Sequence, residues 1–197
     1  MKKVISVFVI MFLSIISSVF GEQNSNSGEV MNSKILVVYS TKAGSTEETA
    51  IYIGKELEKL GAHADVITAA EVKSISGYKA VIVGGPIYMG QWHKESTAFV
   101  EKFQTDLKNV NTAYFFLCLS VKENTPEKQS EVSGYLAKQR SLVEPAAEGR
   151  FPGKLDSSRL SFFHKMIIKM IGSKEGDFRD WALVSKWVVE TYPLLMK

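Results

Sequence analysis

The sequence predicts a doubly wound α/β domain, a parallel sheet covered by helices on both faces. Three observations predict it. Short, β-branched apolar runs alternate with stretches of helical periodicity. The runs are continuously apolar, as in strands buried on both faces. The composition, 45% hydrophobic and 23% charged over 197 residues, is globular. The length is that of one domain, for which roughly 100–200 residues is typical.

The elements follow in order. Ile35–Tyr39 is a short apolar run and reads as the first strand. Thr46–Leu60 is the first helix, with Ala50, Ile53, Leu57 and Leu60 on one face and Gly61 as its stop. Ala64–Ile67 and Ala80–Gly84 are the second and third strands, and Glu95–Asp106 is a helix with Phe99, Val100 and Phe103 inward. Thr112–Leu119 is the fourth strand and encloses Cys118, which reads as a buried, inert thiol. Pro126–Leu142 is a polar helix, Glu144–Phe151 a weak fifth strand, and Asp180–Tyr192 the closing helix.

Before the domain, Lys2 and Lys3 precede an apolar run, and Gly21 is followed by a Ser/Asn/Gly stretch. A positive start, an apolar middle and a small residue before a polar stretch read as an export signal, residues 1–21. The run covers residues 4 to 20, 17 in all, where a membrane span needs about 20. An uncleaved N-terminal anchor is the other reading. Residues 22–33 have linker composition, and the domain is expected over 34–197. The chain is thus expected outside the cytoplasm or anchored at the membrane.

Several function classes are excluded. One cysteine rules out an intramolecular disulfide framework and a CxxC redox or zinc pair. The three histidines, His63, His93 and His164, stand in no metal-ligand spacing. A net charge of +3, falling to 22 − 21 = +1 without residues 1–21, gives no footprint for nucleic acid.

In a doubly wound sheet ligands bind beyond the carboxyl ends of the strands. The loop after the first strand is Ser40, Thr41, Lys42, Ala43, Gly44, Ser45 and Thr46, leading into a helix. Such a loop presents free backbone N–H groups and hydroxyls to an anion. It lacks the GK[ST] ending of a P-loop and the GxGxxG dinucleotide pattern. Ser45 or Thr46 would equally cap a helix with no ligand, and local chemistry leaves both readings open.

Val37, Val38, Tyr39, Thr41, Gly44, Thr46, Ala50 and Ile53 fill every position of the flavodoxin signature. The chain therefore resembles the flavodoxins. The resemblance implies a three-layer sandwich with a five-stranded parallel sheet in the order 2-1-3-4-5. It implies FMN as cofactor, with Ser40–Thr46 around its phosphate. It also implies that the loops after strands three and four line the flavin ring. These are Gly85, Pro86, Ile87, Tyr88, Met89 and Gly90, then Leu119, Ser120 and Val121.

Gly84, Gly85 and Pro86 read as a tight turn. Tyr88 is the favoured candidate to stack on the ring, with Trp92 second. Both residues would also serve simply to cover the core. His93 reads as a helix cap or a surface residue. The loop after strand four has no aromatic between Cys118 and Tyr135, which departs from the usual two-sided stacking.

The segment 149–180 is a further departure. Phe162, Phe163, Met166, Ile167, Met170 and Ile171 form one helical stripe beside His164, Lys165 and Lys169. Residues 161–172 suit an anionic membrane surface, and suit packing against the sheet equally well. This helix, the phosphate loop, Gly90–His93 and the turn Gly176–Trp181 are similar to the menaquinone-dependent protoporphyrinogen IX dehydrogenase branch of the flavodoxins. The resemblance implies an FMN oxidoreductase that passes electrons from a reduced substrate to a quinone or another acceptor. Its rivals are an exported electron carrier without its own substrate and a flavin-free interaction module. No side chain stands out as an acid or base, so the chemistry is expected of the flavin.

Overall fold

The computed structural model describes residues 34–122, 125–156, 166 and 175–197. The expected signal and linker, residues 1–33, lie outside them, as does the amphipathic stripe except Met166, which is exposed.

The elements are β1 Lys34–Tyr39, α1 Ser45–Lys59, β2 His63–Thr68, β3 Ala80–Tyr88, β4 Gln91–Trp92, α2 Lys94–Lys102 and α3 Gln104–Leu107. There follow β5 Asn111–Leu117, a 3-10 turn Leu119–Lys122, α4 Pro126–Gly134, α5 Ala137–Leu142, β6 Ala147–Phe151, β7 Lys154–Leu155, β8 Gly176–Asp177 and α6 Trp181–Leu195. The sheet order is β2-β1-β3-β5-β6, all parallel. This is the expected five-stranded order, with β4 added as a short antiparallel partner of β3.

Strand alternation separates two cores. Ile35, Val37, Ile82, Ala113 and Phe115 face one side, against Ile53 and Leu57 of α1 and Val184, Trp187 and Val188 of α6. Leu36, Val38, Val81, Val83, Tyr114 and Phe116 face the other, against Phe99 and Val100 of α2 and Val132 of α4. Every strand residue at the centre is buried because both faces are covered, which explains the continuous apolar runs. The result is a three-layer sandwich.

Five expected elements differ. The Gly84-Gly85-Pro86 segment does not turn. β3 runs on to Tyr88, with Gly85 paired to Phe116 and Pro86 to Leu117. The reversal comes at Met89 and Gly90, φ 51° and 73°, a two-residue hairpin with both central residues left-handed.

The polar helix breaks between α4 and α5, where Gly134 has low helix propensity and Leu136 leaves helical backbone to lie fully buried. The helix expected through Asp106 breaks at Phe103, whose ring packs on Phe99 at 4.9 Å. Cys118 lies one residue beyond β5 and is half-buried, so it is not the strand-interior thiol expected. Pro145 lacks an N–H, and the last sheet strand begins only at Ala147.

Candidate functional site

The loop 40–46 joins β1 to α1. Gly44 is the N-cap residue of α1, with φ 87° and no side-chain cap. A side chain there would be strained, which explains glycine. The first intrahelical bond is from Glu48 N–H to Gly44 C=O. The amides of Ser45, Thr46 and Glu47 therefore precede the helical ladder and stay available.

The plain-cap reading of Ser45 and Thr46 does not hold. Ser45 Oγ accepts from Lys154 N–H at 3.1 Å, and Thr46 is 1% exposed within the first turn. Thr41 Oγ1 accepts the Gly44 N–H at 3.0 Å and so shapes the loop. Ser40 is turned inward, with its N–H on Gly84 C=O and its hydroxyl against Ser96 and His93.

The hairpin β3–β4 stands beside this loop. Lys42 Nζ sits 3.5 Å from the centroid of the Tyr88 ring, so one face of Tyr88 is covered by the cation of loop 40–46. Burial, then Lys94, pushes the Lys42 pKa down. Trp92, by contrast, is a core residue. It is buried, its Nε1–H donates to Gly85 C=O at 3.2 Å, and its ring tilts on Tyr114 at 5.4 Å. That removes it as a stacking candidate.

Gly85 is forced by crowding, since a Cβ there would stand 2.6 Å from Ser96 Oγ and 2.9 Å from Trp92 Nε1. Met89, at the hairpin tip, is 80% exposed. Pro86 and Ile87 are half-buried beneath it.

His93 precedes α2, but its side chain does not cap the helix. Its Nδ1 lies 2.9 Å from Ser40 Oγ. Burial holds its pKa below the ordinary 6.5, helped by Lys42 and Lys94 and opposed by Glu95. Lys42, Tyr88, His93, Lys94 and Thr97 line one cleft of about 570 Å³ with Trp92 at its wall.

The third loop is the 3-10 turn Leu119–Lys122, whose Val121 N–H donates to Cys118 C=O at 3.3 Å. It has no aromatic of its own, as expected, but the tertiary structure delivers one. Lys122 Nζ lies 3.2 Å from the ring centroid of Phe178. Phe178 N–H donates to Gly153 C=O at 3.3 Å, beside the antiparallel pair β7–β8. Sequence spacing carried no signal for Phe178, because the turn that holds it is remote in the chain. The three loops and this strand pair thus meet at the carboxyl end of the sheet.

The Flavodoxin domain family matches residues 36–181, about three quarters of the chain. The chain belongs to the flavodoxin domain family. Protoporphyrinogen IX dehydrogenase (quinone) of Escherichia coli strain K12 is 27% identical over 171 residues, covering 80% of this chain and 93% of that protein. A flavodoxin from the domain Archaea superposes with a TM-score of 0.52 at 15% identity, over 83% of this chain and 99% of the other. The Streptococcus pneumoniae TIGR4 flavodoxin gives 0.52 at 14%, over 82% and 97%. These likenesses establish the fold.

Membership of the flavodoxin family implies FMN. The flavodoxin domain described above suits that group, because the α1 N-terminus is uncapped and glycine lets a ligand approach it closely. Such a domain is an FMN-type oxidoreductase.

Proposed function

We propose that the chain oxidises a protoporphyrinogen-type substrate with FMN and passes the electrons to a quinone or a similar acceptor. The observation that carries this reading is the likeness to the E. coli dehydrogenase, which extends over 93% of that protein's length. Bound FMN would supply the hydride and electron chemistry.

The chain's own residues then bind and orient. The amides of Ser45, Thr46 and Glu47 and the Thr46 hydroxyl would hold the phosphate, with Thr41, Ala43 and Gly44 setting the loop and Lys42 adding charge. Pro86, Ile87, Tyr88, Met89 and Gly90, with Gly85 packed beneath them, and Leu119, Ser120 and Val121 of the third loop would border the flavin ring. Ser40 supports the site from within.

Export or anchoring through residues 1–21, and membrane contact through 161–172, are part of the same proposal and rest on sequence pattern. No helix among the described residues is long and apolar enough to cross a membrane. A quinone acceptor is membrane-soluble, so peripheral contact suits the reaction.

The test is anaerobic turnover of protoporphyrinogen IX by the FMN-loaded chain with a quinone analogue, read by porphyrin fluorescence. Turnover supports the dehydrogenase. FMN binding without turnover assigns an electron carrier, and no FMN binding leaves an interaction module.

A further inference from the structure

Four groups run in line from the cleft into the sheet. His93 Nδ1 lies 2.9 Å from Ser40 Oγ, Ser40 Oγ 2.6 Å from Ser96 Oγ, and Ser96 Oγ 2.7 Å from Gly84 C=O. The direction of this chain is forced from its inner end. A carbonyl oxygen only accepts, so the single Ser96 hydroxyl proton goes to Gly84. Ser96 must then accept from Ser40. The Ser40 proton is committed in turn, so Ser40 accepts from His93, and Nδ1 carries hydrogen. Ser96 is fully buried and Ser40 is 2% exposed, which shields these bonds from water.

The state of the second ring nitrogen follows. A neutral imidazole with hydrogen on Nδ1 has its lone pair on Nε2. Nε2 lies across the ring from Ser40 and has no hydrogen-bond partner among the described residues. His93 itself lines the cleft with Lys42, Tyr88, Lys94 and Thr97.

We propose that His93 is the proton acceptor of this site, held by Ser40 and Ser96 as the Nδ1–H tautomer with Nε2 open to the cleft. The proposal rests on the dehydrogenase reading. Dehydrogenation of a porphyrinogen at one bridge gives up a hydride from the bridge carbon and a proton from a pyrrole N–H. The C–H bond breaks, and its electron pair leaves with the hydride for the flavin. The N–H proton passes to Nε2, the electron pair it leaves behind forms C=N within the ring, and the ring's double bonds shift to form C=C at the bridge carbon. The imidazolium then returns its proton to water. Ser40 and Ser96 are positioning residues.

Protonation of Nε2 leaves every bond of the chain in place, because Nδ1 keeps its hydrogen. The groups around the ring suit an acceptor. Burial first holds the His93 pKa below its ordinary 6.5; Glu95 opposes this, and Lys42 from the first loop and Lys94 from α2 add to it. Glu101 and Lys138, at 2.7 Å, neutralise each other further along the cleft.

The test uses the full chain, ¹⁵N-labelled and FMN-loaded. Long-range ¹H–¹⁵N correlations of the three histidines are assigned with His93→Gln. Hydrogen on Nδ1 is expected in the wild type. A shift toward Nε2–H, the form free imidazole favours, is expected in Ser40→Ala and Ser96→Ala. A wild-type ring with Nε2–H, or serine variants that leave the spectrum unchanged, overturns the tautomer assignment.

In turnover of protoporphyrinogen IX, His93→Gln is expected to lower kcat by about 10²-fold or more and to abolish the acidic limb of the pH profile. Wild-type turnover by His93→Gln overturns the acceptor role and leaves the dehydrogenase standing. No turnover by the wild type overturns the dehydrogenase and the acceptor role together, while the spectra still decide the relay.

Discussion

Arg179 Nη1 lies 2.6 Å from Glu48 Oε2, joining the turn before the last helix to the first turn of α1. The other side of the same guanidinium grips Asp177, with Nε at 2.8 Å from Oδ1 and Nη2 at 2.5 Å from Oδ2. The guanidinium carbon also sits 4.7 Å from the Trp181 ring centroid. Only 7% of the Arg179 side chain is exposed, so this cation cannot return to water when a partner is lost. The contact fixes the helix that loop 40–46 leads into.

Arg179→Ala is expected to destabilise the fold by about 1.5–3 kcal/mol, the usual worth of hydrogen bonds to charged groups. Arg179→Lys is expected to recover only part of that, because an ammonium cannot reach both carboxylates as a planar fork does. Urea unfolding midpoints of the three proteins measure it. Identical midpoints would show that the fork is screened and carries no stability.

Gly44→Val and Thr46→Ala are expected to weaken FMN binding. Valine is strained at φ 87°, and alanine at 46 removes a donor to the phosphate. A lost charge-assisted bond is worth about 1.5–3 kcal/mol, or roughly 10- to 100-fold in Kd. Thr41→Ala acts indirectly, by freeing the Gly44 N–H, and is expected to cost less. Quenching of FMN fluorescence on titration reads all three, and unchanged affinity in all of them would remove the loop from the cofactor site.

Tyr88 and Trp92 are expected to separate binding from stability. Tyr88→Ala should weaken FMN binding with little change in melting temperature, since Tyr88 stands at the rim. Trp92→Ala should cost about 3–5 kcal/mol of stability, as for other buried aromatics, because its ring and its bond to Gly85 lie in the core. Paired calorimetric and binding measurements decide, and the reverse pattern would return the stacking role to Trp92.

The edge strand β2 carries a pH-sensitive cluster. Asp65 accepts from Lys34 at 2.8 Å and from Tyr78 Oη at 2.6 Å. Lys34, then Tyr78, holds the Asp65 pKa below the ordinary 3.8, so its contribution is present above that pH and is lost as pH falls through the folded value. Burial, then Asp65, pushes Tyr78 up to about 12 from 10.0, so its contribution is present below pH 10 and is lost as pH rises toward 12. Asp65→Asn should flatten both limbs of the stability–pH curve and Tyr78→Phe mainly the alkaline one. Denaturant midpoints across pH check this, and wild-type curves in both variants would refute it.

The strands and the three loops that follow them were legible in the chain itself, while the sheet order came only with the family resemblance. The runs Ile35–Tyr39, Ala80–Gly84 and Thr112–Leu119 are apolar because both faces of each strand are covered, and such patterns are local. The loop 40–46 was legible for the same reason, since Gly44 and its hydroxylated neighbours are contiguous.

The ring loop was misread because its glycines answer to distant neighbours. Gly84 and Gly85 look like turn residues, yet a Cβ would strike Phe115 at 1.9 Å from the first and Ser96 at 2.6 Å from the second. Close packing between elements, not chain reversal, requires them, and the turn falls at Met89–Gly90.

The apolar periodicity and the single loop signature were thus enough to set the architecture and the FMN cofactor, because each is written in neighbouring residues. Three other features emerged only on folding. Phe178 meets Lys122, Arg179 meets Glu48, and His93 meets Ser40 across 53 residues. Hydrogen bonds and cation–ring contacts act over a few ångströms and leave no period along the chain. The direction of the His93–Ser40–Ser96 relay depends on the carbonyl of Gly84 at its inner end, and that group came into reach only when β3 and α2 were packed together.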